Sequence, residues 1–299
     1  MAGPQSLNRA RAWVHAARVP TLAAAFVPVA VGSALAARDH HFRIGPALAA
    51  LFGAIFIQIG TNLVNDSGDF HRGADSGKRL GPPRPLAMGW LTISEVRAGI
   101  LVSFLLATLA GIYLAWIAGW PVVAIGVLSI AAGVAYTAGP WPLAYHGLGD
   151  IFAFFFFGVV AVCGTYYVEV RTLTRDALLA AVPVGALATA ILVVNNVRDL
   201  DGDRAAGKRT VAVRVGRAGA RAEYLALLCA AYLTPALLFV GGRVGAWALL
   251  PLITAPLALA EGRRVLRHED GPSLNAALFG TARLHVLFGL LFAAGVAIT

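Results

Sequence analysis

Nine apolar segments follow one another along this chain, at about 19–37, 46–64, 98–118, 121–137, 150–168, 177–196, 222–241, 245–260 and 280–298. A backbone in hydrocarbon has no water to bond, so it must satisfy its own N–H and C=O groups as a helix or a closed barrel. A barrel strand needs only about 9–11 residues, whereas a crossing helix needs roughly 17–25. Most of these segments have the helical length. With 59% hydrophobic residues and a mean hydropathy of +0.74, the chain is too apolar for a soluble domain of its size. The expected fold is all-α, a polytopic membrane protein with nine transmembrane helices. Segments 121–137 and 245–260 are short and contain proline, and Gly119-Trp120-Pro121 reads as a tight turn between spans three and four.

Lys and Arg set the orientation. With the N-terminus inside, 19 of the 24 basic residues fall in inner segments, and only Arg38, Arg43, Arg171, Arg175 and Arg243 lie outside. That bias places the N-terminus and the loops of about 65–97 and 197–221 in the cytoplasm of a multi-pass plasma-membrane protein. It also accounts for the net charge of +9 without nucleic acid. No cleaved signal segment is expected, since the basic stretch Met1 to Arg18 runs into an apolar segment too long for one. Cys163 and Cys229 lie within apolar runs and read as small core residues.

Against this background, two acidic clusters stand out. The first is Asn62-Leu-Val-Asn65-Asp66-Ser-Gly-Asp69, with Asp75 further on; the second is Asn195-Asn196-Val-Arg198-Asp199-Leu-Asp201-Gly-Asp203. Carboxylates beside a bilayer core are costly and rare unless they serve a function. Helical spacing aligns Asn62, Asp66 and Asp69 on one face, and Asn195, Asp199 and Asp203 on another, while Asp201 points elsewhere. Two matched rows of oxygen ligands repel a phosphate directly, but bind it through Mg²⁺, which bridges carboxylates to phosphates. Asp66, Asp69, Asp199 and Asp203 are therefore the candidate metal ligands and catalytic residues. Single Asp or Asn residues also cap helices and start turns, yet this does not explain two matched rows at inner ends of spans two and six.

Cations complete a candidate diphosphate site. Arg72, Lys78, Arg79 and Arg84 surround Gly81-Pro-Pro-Arg84-Pro85, and Arg198, Lys208 and Arg209 accompany the second row. Asn62, Asn65, Asn195 and Asn196 join them as candidate substrate contacts. For Arg214, Arg217 and Arg221 topology alone is sufficient. Tyr136 and Tyr145 are candidates to shield a carbocation with their rings, although interfacial belts explain most tyrosines, including Tyr166 and Tyr167. The rows occupy equivalent places, each after the second span of a four-span unit. Residues 1–299 thus read as one domain, a pseudo-repeat of spans 1–4 and 5–8 with a ninth added.

The motifs Asn62-x-x-Asn65-Asp66-x-x-Asp69-x-x-x-Gly73-x-Asp75 and Asp199-x-x-x-Asp203-x-x-x-Gly207-Lys208 resemble those of the UbiA superfamily of intramembrane prenyltransferases. The five-residue gap before Asp75, Gly81-Pro-Pro-Arg84, Tyr136 to Tyr145, Gly147-Leu-Gly-Asp150 and Gly207 to Gly216 resemble the branch that acts on 1,4-dihydroxy-2-naphthoate. The resemblance spans essentially the whole chain. It implies Mg²⁺-dependent transfer of a polyprenyl group from polyprenyl diphosphate to that naphthoate, with loss of CO₂. Acceptors such as 4-hydroxybenzoate, homogentisate, haem or a sugar phosphate remain open at this level. So does a transporter, because intramembrane carboxylates mark those as well.

Overall fold

The computed structural model describes residues 8–73 and 80–299, so Asp75, Lys78 and Arg79 lie outside the described residues. Within them the chain is helical and forms no strand. A surface helix α1 (Arg9–Ala17) precedes α2 (Ala23–Arg38), α3 (Ile44–His71), α4 (Ile93–Ala118) and α5 (Trp120–Ala135). Next come α6 (Gly149–Val170), α7 (Arg175–Ala205) and α8 (Val211–Val240). A 3₁₀ stretch (Ala246–Thr254) leads into α9 (Ala255–Arg267), and α10 (Gly271–Ala297) closes the chain.

Six of these, α3, α4, α6, α7, α8 and α10, are long and apolar enough to cross a bilayer. Among the described residues, the shorter apolar helices α2 and α5 and the composite 246–267 bring the helical segments of this multi-pass membrane protein to nine, in keeping with the nine apolar segments of the sequence. Most apolar segments sit inside longer helices. Helix α3 carries on to His71 and α7 to Ala205, so the expected long second loop shrinks to 206–210. Helix α8 begins at Val211 but bends at Gly216, whose φ of 74° breaks the helix before the apolar run.

Small residues let the helices approach closely, as membrane packing requires. A Cβ added to Gly185 of α7 would stand 2.8 Å from Phe154 O and 3.0 Å from Gly158 Cα on α6. Helix α7 is the central element, with 72% of its apolar window buried, and it packs on α6, α8 and α10. Opposite the aspartate rows, Arg38 pairs with Asp39 and Asp176, Arg243 also holds Asp176, and Glu169 accepts from Ser33 at 2.7 Å.

Three sequence expectations change. The sequence shows only a basic stretch up to Arg18, yet Ala12 and Ala16 of helix α1 pack on Leu63, Leu86, Leu91 and Val96. Tyr166 is no interfacial belt residue: it is 1% exposed and donates to Asp39. Cys229 is exposed, on the outer surface of α8, whereas Cys163 is buried as expected.

Candidate active site

Asp, Asn, Ser and Gly are weak helix formers, because their short side chains compete for the backbone. The C-terminal ends of α3 and α7 stay helical because those side chains find partners elsewhere. Asn65 Oδ1 accepts from Thr137 Oγ1 at 2.7 Å, and Asn65 O accepts from Arg84 at 3.0 Å. Asp66 Oδ2 accepts from Leu86 N at 3.3 Å. Asp69, only 2% exposed, accepts from Arg84 at 2.6 Å and from the Tyr145 hydroxyl at 3.1 Å, and pairs with Lys208 at 3.2 Å.

On α7, Arg198 grips both Asp199 oxygens at 2.8 and 2.6 Å and also donates to Asn195 and Asn275. Asp203 lies 3.7 Å from the same Lys208. One lysine therefore bridges the two rows. Its ammonium sits 5.0 Å from the Tyr145 ring centroid, and Arg72 stacks on that ring at 5.3 Å. Burial, and then the charge of Asp69, holds the Tyr145 phenol above its ordinary pKa, so it stays a donor. The loops are pinned too: Arg209 N donates to Tyr145 O at 3.0 Å, and Arg72 donates to the carbonyls of Thr137 and Gly139.

Both rows open into one cavity of about 1400 Å³. Asn62, Asn65, Asp69, Asn195, Asp199, Asp203, Lys208 and Arg84 lie at its polar end. Phe152, Phe156, Phe157, Ile57 and Ile130 line the apolar remainder. A seven-residue π-helical stretch, Phe154–Val160, interrupts α6, and its wider turn brings the consecutive Phe156 and Phe157 both onto the cavity wall. Ile112, Val123 and Val127 line the same space while 61%, 52% and 61% exposed, so the cavity reaches the lipid-facing surface.

A family model for the UbiA prenyltransferase family matches residues 25–295. The chain belongs to this family. It is 37% identical over 298 residues to 1,4-dihydroxy-2-naphthoate octaprenyltransferase of Escherichia coli (strain K12), covering 98% of this chain and 97% of that one. It is also 37% identical over 285 residues to the Mycobacterium tuberculosis (strain ATCC 25618 / H37Rv) protein of the same name, covering 95% and 96%. A UbiA homolog from Aeropyrum pernix K1 shares the fold with a TM-score of 0.72 at 16% identity, covering 94% of this chain and 98% of that one. So does one from Archaeoglobus fulgidus bound to DMAPP and Mg²⁺, with a TM-score of 0.67 at 15% identity, covering 96% and 99%. Membership in a prenyltransferase family removes the transporter reading.

Within this UbiA fold, Asn62, Asn65 and Asp69 of the first row and Asn195, Asp199 and Asp203 of the second line one cavity, whereas Asp66, 1% exposed, is not among its lining residues. Among the described residues no three His, Cys, Asp or Glu side chains come together in a group that could hold a metal ion by itself. Mg²⁺ binds through one or two carboxylates plus phosphate oxygens and keeps several waters. The donor set, all hard oxygens on two facing helices, fits such a cation.

Several expected contacts have other partners. Asn62 donates to Ala17 O and Thr21 Oγ1 at 2.9 Å each, anchoring the segment after α1. Arg84 and Arg198 hold carboxylates in place, while Asp201 is 76% exposed at its side chain, beside Arg204 and Arg217. Arg214 and Arg221, assigned to topology, also donate, to His146 O ahead of α6 and to Val265 O in the last turn of α9.

Other site residues escaped the sequence reading. Arg18, counted there only as an inner cation, lines the cavity, and Thr137, Asn275 and Asp150 sit in or beside it. The run Phe154 to Phe157 was visible, but an apolar run carries no sign of a π turn.

Proposed function

We propose that this chain transfers a polyprenyl group from polyprenyl diphosphate to 1,4-dihydroxy-2-naphthoate, releasing diphosphate and CO₂. The observation that carries the reading is the cavity itself: two carboxylate rows and their cations at one end, and an apolar, aromatic-walled space leading to lipid. The acceptor is supported by the full-length likeness to proteins named for that naphthoate. Asp66, Asp69, Asp199 and Asp203 would hold Mg²⁺, which when bound supplies positive charge against the departing diphosphate. Lys208 lies against Asp69 and Asp203 and is placed to turn to the phosphate oxygens.

The rest is done by the walls. Phe152, Phe156 and Phe157 would face the allylic cation with their π-electrons, and the apolar cavity keeps water from capturing it. The prenyl tail lies along the apolar wall towards the lipid opening. The naphthoate ring carries two hydroxyls that push electron density to the attacked carbon, and its anion is drawn to the basic inner face. The positive-inside bias supports a cytoplasmic N-terminus and an active site on the cytoplasmic side.

The test is to give purified protein one long-chain polyprenyl diphosphate, Mg²⁺, and either the naphthoate or 4-hydroxybenzoate. Prenylated naphthoate is the expected product. Product from the benzoate alone would move the chain to another branch of the family.

A further inference from the structure

Neither aspartate row accounts for Asp150. This carboxylate occupies the second position of α6, is 5% exposed and lines the cavity. Its Oδ1 accepts from Asn196 Nδ2 at 3.4 Å. Asn196 precedes Asp199 by three residues on α7, which runs from the outer to the inner face. It therefore lies roughly 4.5 Å deeper along the helix than the second row, on an adjacent part of the same face. A Cβ on the preceding Gly149 would stand 2.9 Å from the Tyr136 hydroxyl, so that phenol packs against the same stretch of wall. At the start of α6 the Asp150 carboxylate also accepts from its own backbone N–H, a local bond that accounts for neither the contact with Asn196 nor the place on the cavity lining.

Depth gives the carboxylate its meaning. With the diphosphate held at the two rows, the reacting carbon of the prenyl group must lie just inward of them. The acceptor ring has to meet it at that level, beside Asp150. We propose that Asp150 is the proton acceptor, and then proton donor, for the acceptor hydroxyl next to the attacked carbon. The proposal rests on the naphthoate reading above.

The step balances without any further reagent. The bond from the allylic carbon to the diphosphate oxygen breaks, and the electron pair leaves with diphosphate. The ring carbon bearing the carboxylate forms the new carbon–carbon bond. The neighbouring hydroxyl gives its proton to Asp150, and its oxygen becomes a carbonyl. The resulting β-keto carboxylate loses CO₂, and the electrons of that bond pass into an enolate. The enolate oxygen takes the proton back from Asp150, leaving the prenylated dihydroxynaphthalene and an enzyme with its proton count unchanged.

The test uses the full chain with Mg²⁺, polyprenyl diphosphate and the naphthoate. Asp150→Asn should lower kcat by about 10²- to 10⁴-fold, the range for a positioned acid–base group. Its KM for polyprenyl diphosphate should stay within about twofold, because donor binding is left intact. In Asp150→Ala, which leaves room in the cavity, added formate should restore turnover by about tenfold or more, since a small carboxylate can take the missing proton. A structural role would not respond to formate. Glu223→Gln, a nearby carboxyl outside the cavity lining, should keep wild-type turnover. Near-normal kcat in Asp150→Asn, or a loss in Asp150→Ala that formate leaves unchanged, overturns the proposal. A wild-type chain that leaves the naphthoate unreacted defeats the acceptor reading, and that result appears before any variant is assayed.

Discussion

Lys208 touches both carboxylate rows, and replacing it with methionine isolates what its charge contributes. The apolar stem is kept, while the ammonium at 3.2 Å from Asp69 and 3.7 Å from Asp203 is removed. Asp69 still has Arg84 at 2.6 Å and Tyr145 at 3.1 Å, so the C-terminal end of α3 should remain in place. What is lost is a cation that can turn to the diphosphate. A hydrogen bond to a charged group contributes about 1.5–3 kcal/mol, and each 1.4 kcal/mol or so is about tenfold. The expected loss in kcat/KM for polyprenyl diphosphate is therefore about ten- to a hundredfold. Full Coulomb attraction at about 4 Å and an effective dielectric near 20 would reach about 4 kcal/mol, which sets the upper limit. The Mg²⁺ requirement should move the other way, because Asp69 and Asp203 lose a competing cation. Steady-state kinetics in both ligands, on protein that inserts and melts normally, provide the assay. A donor kcat/KM within about threefold of wild type would refute the assignment and return Lys208 to a purely topological role.

Asp66→Asn and Asp199→Asn each remove a charge with little change of shape, and should abolish transfer while insertion persists; near-normal turnover at saturating Mg²⁺ would exclude the two-row site. Arg198→Lys loses the paired grip on Asp199 at 2.8 and 2.6 Å, and should cost about tenfold in kcat/KM by releasing a ligand, since Lys cannot reproduce a fork. Phe156→Ala and Phe157→Ala should open the cation to water, so the readout is prenyl alcohol appearing beside prenylated naphthoate. Gly185→Val forces a Cβ to 2.8 Å from Phe154 O and should destabilise the protein by about 1–3 kcal/mol, seen as a lower melting temperature.

The apolar segments, the orientation bias and both Asn/Asp rows were legible in the sequence, because hydropathy and helical spacing are local signals. The partners of those rows were not. Arg84 reaches Asp69 across 15 residues, and Tyr145 reaches it across 76; such pairings exist only once the helices pack. The same holds for Tyr166, which reads as a belt residue until Asp39 lies 2.5 Å from its hydroxyl. Segment ends differ from helix ends because hydropathy reports the stretch that faces lipid. Helices α3, α7 and α8 continue past it into polar surroundings, where long-range hydrogen bonds and the caps of Thr174 and Thr210 sustain them. Asp150 stood within a stretch noted for its resemblance, but one carboxylate at a helix start carries no local sign that it faces a cavity.

The central claim is prenylation with decarboxylation at the paired rows. Naphthoate labelled in its carboxyl carbon, incubated with polyprenyl diphosphate, Mg²⁺ and purified protein, reports both halves of it at once. One labelled CO₂ should be released for each diphosphate formed, and Asp66→Asn and Asp199→Asn should release neither. Diphosphate without labelled CO₂, or CO₂ release that survives both substitutions, would contradict it.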